Sequence, residues 1–265
     1  MPRKSLLEMR NATLCRGEHR VLENFSLRIE QGEHVAILGP NGAGKTTLIK
    51  ALIRELYPRA DAGMVFRILG RDTWNVWDLR RQIGFVSAEL QHRYHDNVRV
   101  RDVVLSGFLS SIGVQGIAGQ GIRPGDRARA DEVIEDLSLG ALADRRFGRL
   151  STGQQRLALV GRALVHEPST LVLDEPCAGL DFGASFDVMR RIRELAAGGL
   201  SLVIVTHHLD EIPPEVERIV LLKNGAILAD GSPGEVLTNA RLSDAYGTPI
   251  RVFRNGDRYF ATPLE

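Results

Sequence analysis

The stretch "ILGPNGAGKTTLIKAL", Ile37 to Leu52, decides the fold. It begins inside the apolar run "HVAILG", which suits a strand buried on both faces of a sheet. After the loop, Leu48, Ile49, Leu52, Ile53 and Leu56 recur at helical spacing, and Pro58 is the expected stop. Between strand and helix, Gly39-Pro40-Asn41-Gly42-Ala43-Gly44-Lys45-Thr46, followed by Thr47, fits the pattern G-x-x-x-x-G-K-[ST]. Glycines there let successive backbone N–H groups curl into a nest for anionic oxygens. The helix start adds unpaired N–H groups and the positive end of its dipole. In that context Lys45 reaches the β- and γ-phosphates of a nucleoside triphosphate, and the Thr46 hydroxyl ligates Mg²⁺. The competing reading, a glycine-rich turn with an incidental lysine, leaves the strand–loop–helix order unexplained.

A phosphate loop needs a carboxylate on a second strand, and "TLVLDEP" supplies one. Thr170 to Leu173 read as a short buried strand that places Asp174 at its C-terminal end, where ligands bind in open α/β sheets. Asp174 is a candidate for Mg²⁺. Glu175, on the other side of the pleat, can poise a water for in-line attack. "SLVIVTHH" is another buried strand, ending at His207 and His208. Both strands follow helical segments, and this alternation gives an α/β fold with a parallel sheet.

Upstream, "SLLEMRNATL" and "RVLENFSLRIEQG" read as strands. In the middle, "VRVRDVVLSGFLSSI" and "ARADEVIEDLSLGAL" look helical, forming a subdomain over about residues 95–150, with the glycine-rich "GVQGIAGQGIRPGD" between them as a mobile surface loop. Near the C-terminus, hairpins are expected about Asn224-Gly225 and Asn255-Gly256.

Composition narrows the function. The 265 residues carry a net charge of +1, so nothing favours nucleic acid or an anionic membrane as partner. Two distant cysteines, Cys15 and Cys177, fit free thiols in a reducing compartment. The polar "MPRKSLLEMRNATL" does not read as a signal peptide. No apolar run of about 18 residues occurs, so any membrane role comes through a partner.

With these motifs in place, Leu150-Ser151-Thr152-Gly153-Gln154 resembles the LSGGQ signature of the ATP-binding-cassette (ABC) ATPases. Asp174-Glu175, Gly179-Leu180-Asp181 and Val205-Thr206-His207 follow in the family's order, resembling its second carboxylate motif, D-loop and switch histidine. The resemblance implies a P-loop NTPase with a RecA-like core, an antiparallel β subdomain and an inserted α-helical subdomain. It implies an ABC domain over residues 1–240, with 241–265 an extension ending in a hairpin. It implies ATP and Mg²⁺, and a homodimer in the ATP state, in which Ser151, Gly153 and Gln154 of one copy cover the γ-phosphate held by the other. His207 would contact that phosphate. The site would lie on the cytoplasmic face of a membrane, beneath membrane-spanning permease subunits, with a solute-binding protein as a further partner.

The chain departs from the family pattern in places. Arg16 stands where an aromatic usually stacks on adenine, and a guanidinium can stack on a purine as well. Ala88 occupies the usual Q-loop glutamine position; Gln91 is the candidate substitute beside Mg²⁺, and Glu89 a weaker one. Thr152 replaces a signature glycine. The wording "WDLRRQIGFVSAELQ", "LSTGQQR" and "VTHHLDEIP" is similar to molybdenum- and iron-complex-type import ATPases. Two other functions compete. One is a non-transport ABC ATPase, regulatory or acting on ribosomes or DNA; the ribosome and DNA proteins usually have two cassettes or a long coiled coil, and this chain has one cassette and no heptads. A P-loop kinase has no use for "LSTGQ".

Overall fold

A computed structural model describes residues 4–111 and 121–264. Residues 113–120 of the expected mobile loop lie outside that range. Along the chain the elements are β1 (Ser5–Arg16), β2 (His19–Glu30), β3 (Val35–Leu38), α1 (Lys45–Leu52), β4 (Val65–Ile68), α2 (Val76–Gln82), β5 (Ile83–Ser87), α3 (Ala88–His92) and α4 (Val100–Leu105). Then come α5 (Pro124–Asp136), α6 (Thr152–Leu164), β6 (Thr170–Asp174), α7 (Phe182–Ala197), β7 (Ser201–Thr206), β8 (Arg218–Lys223), β9 (Ala226–Gly231), α8 (Pro233–Val236), α9 (Asn239–Tyr246), β10 (Ile250–Asn255) and β11 (Arg258–Pro263). The chain divides into two compact units, one from residues up to 76 with those from 201, the other from residues 77–200.

The first unit holds two sheets and a C-terminal hairpin. In one sheet β1 pairs antiparallel with β2 on one side and β4 on the other. From Phe25 to Ile29, β2 alternates buried and exposed residues, as a strand with one covered face does. In the other sheet β3 lies parallel between β7 and β8, with Ile37 opposite Val205 and Val220. Every residue of β3 and β7 is buried, which is why these segments read as continuous apolar runs. β9 closes that edge antiparallel to β8 through Asn224 and Gly225, both at positive φ, the turn such a dipeptide favours. The last hairpin turns one residue later than expected: Asn255 pairs with Arg258, so Gly256 and Asp257 form the loop.

The expected helix over "KTTLIKALIREL" is shorter than its apolar spacing suggests. It ends at Leu52 because Arg54 takes a left-handed φ of 59° and tucks its guanidinium over the Phe66 ring, 4.5 Å from the centroid, donating to the Asp72 carbonyl. Glu55 and Leu56 then turn their N–H groups back to the Lys50 carbonyl.

In the second unit β5 and β6 pair in parallel, Ser87 opposite Asp174. Helices α4, α5 and α6 pack their apolar faces together, burying Val103, Val104, Val133, Ile134, Leu159 and Val160. Here too a helix is shorter than expected: α4 stops at Leu105, and turns carry the chain to Ser111. Pro124 opens α5, where Asp126 accepts from the Arg123 N–H at 2.9 Å.

Candidate functional site

The phosphate loop belongs to the first unit. β3 ends at Leu38, and α1 starts at Lys45 with Gly44 as a left-handed N-cap, φ 104°, that offers no side-chain cap to the helix. A glycine there brings no side-chain acceptor to the start of the helix. Added side chains would meet close neighbours at Gly39 and Gly44. A Cβ on Gly39 would sit 2.4 Å from the Leu222 carbonyl oxygen, and one on Gly44 2.5 Å from Leu22 Cδ2. Gly42, at φ 82°, borders open space. Ala43 is buried, while Pro40 is half-buried and Asn41 exposed. Lys45 is only 6% exposed, and its Nζ donates to the carbonyls of Gly39 at 2.7 Å and Pro40 at 3.1 Å. Thr46 is half-buried and Thr47 buried. A buried ammonium and uncapped N–H groups around an open glycine turn fit the anionic oxygens of a triphosphate.

The same unit carries His207 and Arg16. Arg16 is exposed at the end of β1, opposite His19. His207 follows β7, and its backbone is held on both sides. The Thr206 hydroxyl, fully buried, donates to Glu211 and accepts from the His208 N–H at 3.0 Å. From α9, the Tyr246 hydroxyl donates to the His207 carbonyl at 3.1 Å. Burial pushes Glu211 above the usual carboxylate range and Tyr246 up to about 12. The His207 and His208 rings lie 4.0 Å apart, tilted by 42°.

The second unit carries the carboxylates and the signature. β6 is buried up to Leu173, and Asp174 is half-buried at its end. Glu175 is no longer in the strand: its φ is 51°, left-handed, so the pleat alternation expected from sequence does not set its direction. Ser151 is the N-cap of α6 in a reciprocal box, its Oγ accepting from the Gln154 N–H at 3.3 Å while Gln154 Oε1 accepts from the Ser151 N–H at 3.1 Å. Gly153 is pressed against α7, where an added Cβ would lie 2.9 Å from the Ala184 Cβ.

Ala88 begins α3 and Glu89 is exposed on it. Gln91 is buried, with Nε2 donating to Gln155 Oε1 at 2.7 Å and Oε1 accepting from Arg156 Nε at 3.0 Å. Arg156, Glu211 and Tyr246 escape a motif search. The signal for Arg156 was a charge at buried helical spacing, three residues after Gly153 and three before Leu159. Among the described residues no cluster of His, Cys, Asp and Glu forms a ready metal cage.

A glycine loop between a buried parallel strand and a helix, with its lysine buried on the loop carbonyls, defines a P-loop nucleoside triphosphatase. The ABC transporter family model matches residues 22–178, and the chain belongs to that family. It is 35% identical over 265 residues to the ABC transporter ATP-binding protein YlmA of Bacillus subtilis, covering 98% of both chains. It is also 35% identical to the hemin import ATP-binding protein HmuV of Streptomyces coelicolor, over 89% of this chain and 81% of the relative. The solved ADP conformation of MJ1267, an ATP-binding cassette of an ABC transporter, superposes with a TM-score of 0.76 at 26% identity, covering 91% of this chain and 98% of that one. The protein therefore binds ATP and is an ABC-type ATPase of transport type, similar to import ATPases.

Proposed function

We propose that residues 1–240 form the ABC ATPase domain, that about 95–150 are its helical subdomain, and that 241–265 are an extension. The protein would work on the cytoplasmic face of a membrane, attached to membrane-spanning permease subunits and drawing on a solute-binding protein. Among the described residues no helix is long and apolar enough to cross a membrane, which supports the need for such subunits. The hemin import role in the name of HmuV and the ABC transporter complex cbiONQ named for a solved relative point the same way.

Within the site, residues 39–47 receive the triphosphate: backbone N–H groups and Lys45 meet the phosphate charge, and Arg16 stacks on the base. Thr46 and Asp174 are the proposed ligands of Mg²⁺, a hydroxyl and a carboxylate that suit a hard cation. Bound there, Mg²⁺ would neutralise charge developing on the phosphates. Gln91 would join it only by sharing the oxygen that now accepts from Arg156. Glu175 takes the proton of the attacking water, and His207 orients that water against the γ-phosphate. Ser151, Gly153 and Gln154 of a second copy close over it. Two copies each give one loop and one signature, so a head-to-tail pair closes.

The observation that carries this reading is the buried Lys45 ammonium on the loop carbonyls. Two substitutions test it. Lys45→Ala should abolish ATP binding in an equilibrium titration. Glu175→Gln should bind ATP normally while turnover falls by roughly 10²–10⁴-fold, the usual share of a general base. Unchanged turnover in either would contradict the assignment. For the transport role, a polytopic membrane protein should copurify from detergent-solubilised native membranes; co-sedimentation with ribosomes would overturn it.

A further inference from the structure

Arg156 is 1% exposed, the least exposed charged side chain among the described residues. A charge this deep requires strong hydrogen-bond compensation. The guanidinium finds it in one short stretch of backbone. Nη1 donates to the Glu175 carbonyl at 2.9 Å and the Pro176 carbonyl at 2.6 Å, and Nη2 to the Ala178 carbonyl at 3.2 Å. Those carbonyls belong to the turn directly after Asp174, where Glu175 holds a left-handed φ that a side-chain-bearing residue seldom adopts. The Ala178 N–H also closes on the Glu175 carbonyl at 3.1 Å.

The fourth bond fixes the fork itself. Arg156 Nε donates to Gln91 Oε1, Gln91 Nε2 donates to Gln155 Oε1, and Gln155 Nε2 donates to the Phe147 carbonyl at 2.9 Å. Each amide is oriented by its neighbours, so the guanidinium plane is set by α3 and α6 together. A planar fork matches several convergent carbonyls; an ammonium, as a point charge, does not.

We infer that Arg156 is a positioning residue for Glu175. By clamping the backbone of the turn it aims the Glu175 carboxylate, and Gln91 aims Arg156. This rests on the reading of Glu175 as the base. The test is steady-state ATPase kinetics of the full chain with Arg156→Lys, alone and combined with Glu175→Gln. Misaiming a base by about an ångström predicts a fall in kcat of up to ~100-fold with the KM for ATP little changed. Combined with Glu175→Gln, the same change should leave the residual rate unaltered, because both act through one group.

A folded Arg156→Lys protein with wild-type kcat, or one that lowers the residual rate of Glu175→Gln by its full factor, would overturn the inference. If Glu175→Gln itself kept wild-type turnover, the base assignment would fall instead, and the two failures are thus distinct. Should Arg156→Lys not fold, Gln91→Ala serves: kcat should drop with the half-saturating Mg²⁺ concentration unchanged. A wild-type kcat, or a raised Mg²⁺ requirement that accounts for the loss, would count against the positioning role.

Discussion

Gly39 shows how little freedom the site leaves at the level of one residue. With the Leu222 carbonyl 2.4 Å from any added Cβ, Gly39→Ala must displace backbone, not a yielding side chain. Thermal or denaturant unfolding should show a loss of about 1–3 kcal/mol, the usual cost of overpacking. ATP affinity should fall with it, since Lys45 Nζ bonds the Gly39 carbonyl. Glu211 makes a second prediction. Burial raises its folded pKa above the ordinary value, an effect opposed by the Thr206 hydroxyl. The native state then holds a proton that the unfolded state releases, so this contribution is present below the unfolded pKa and lost as pH rises through the folded one. Glu211→Gln removes that dependence. The difference in Tm between variant and wild type should move in the variant's favour from pH 5 to pH 8. A difference independent of pH would contradict the account.

At the level of elements, the N-terminus of α6 does two jobs that can be separated. Ser151 caps the helix, and it is proposed to meet the γ-phosphate of a second copy. Aspartate caps about as well as serine but is negatively charged. Ser151→Asp should therefore keep the unfolding free energy within about 1 kcal/mol of wild type while abolishing ATP-driven association. Normal association in Ser151→Asp, with a loss only in Ser151→Ala, would show that capping alone matters. The elements were legible in sequence where local pattern and tertiary role agree. β3 and β7 announce themselves as apolar runs, and Asn224-Gly225 as a tight turn. They were illegible where a distant partner decides. The end of α1 depends on Arg54 finding Phe66 and Asp72, which no local spacing reveals. The left-handed φ of Glu175 and its clamp by Arg156 depend on residues far apart in the chain. Gln91 is a metal-ligand candidate by its place three residues after Ala88; its bonds to Gln155 and Arg156 join residues far apart in the chain, which no local pattern shows.

For the whole molecule, near-neutral charge and ordinary composition favour no class of partner. Family membership supplies ATP binding and ATPase chemistry, and the order of motifs supplies the proposal that two copies work together. That proposal is the centre of the account: ATP, held by the loop of one copy and covered by the signature of the other, keeps the pair closed until hydrolysis. Slow hydrolysis should trap the closed pair, so the most direct measurement is the molar mass of Glu175→Gln by light scattering, with and without saturating ATP and Mg²⁺. The account predicts a monomer without nucleotide and a dimer with it. A mass that stays monomeric at saturating ATP would contradict it.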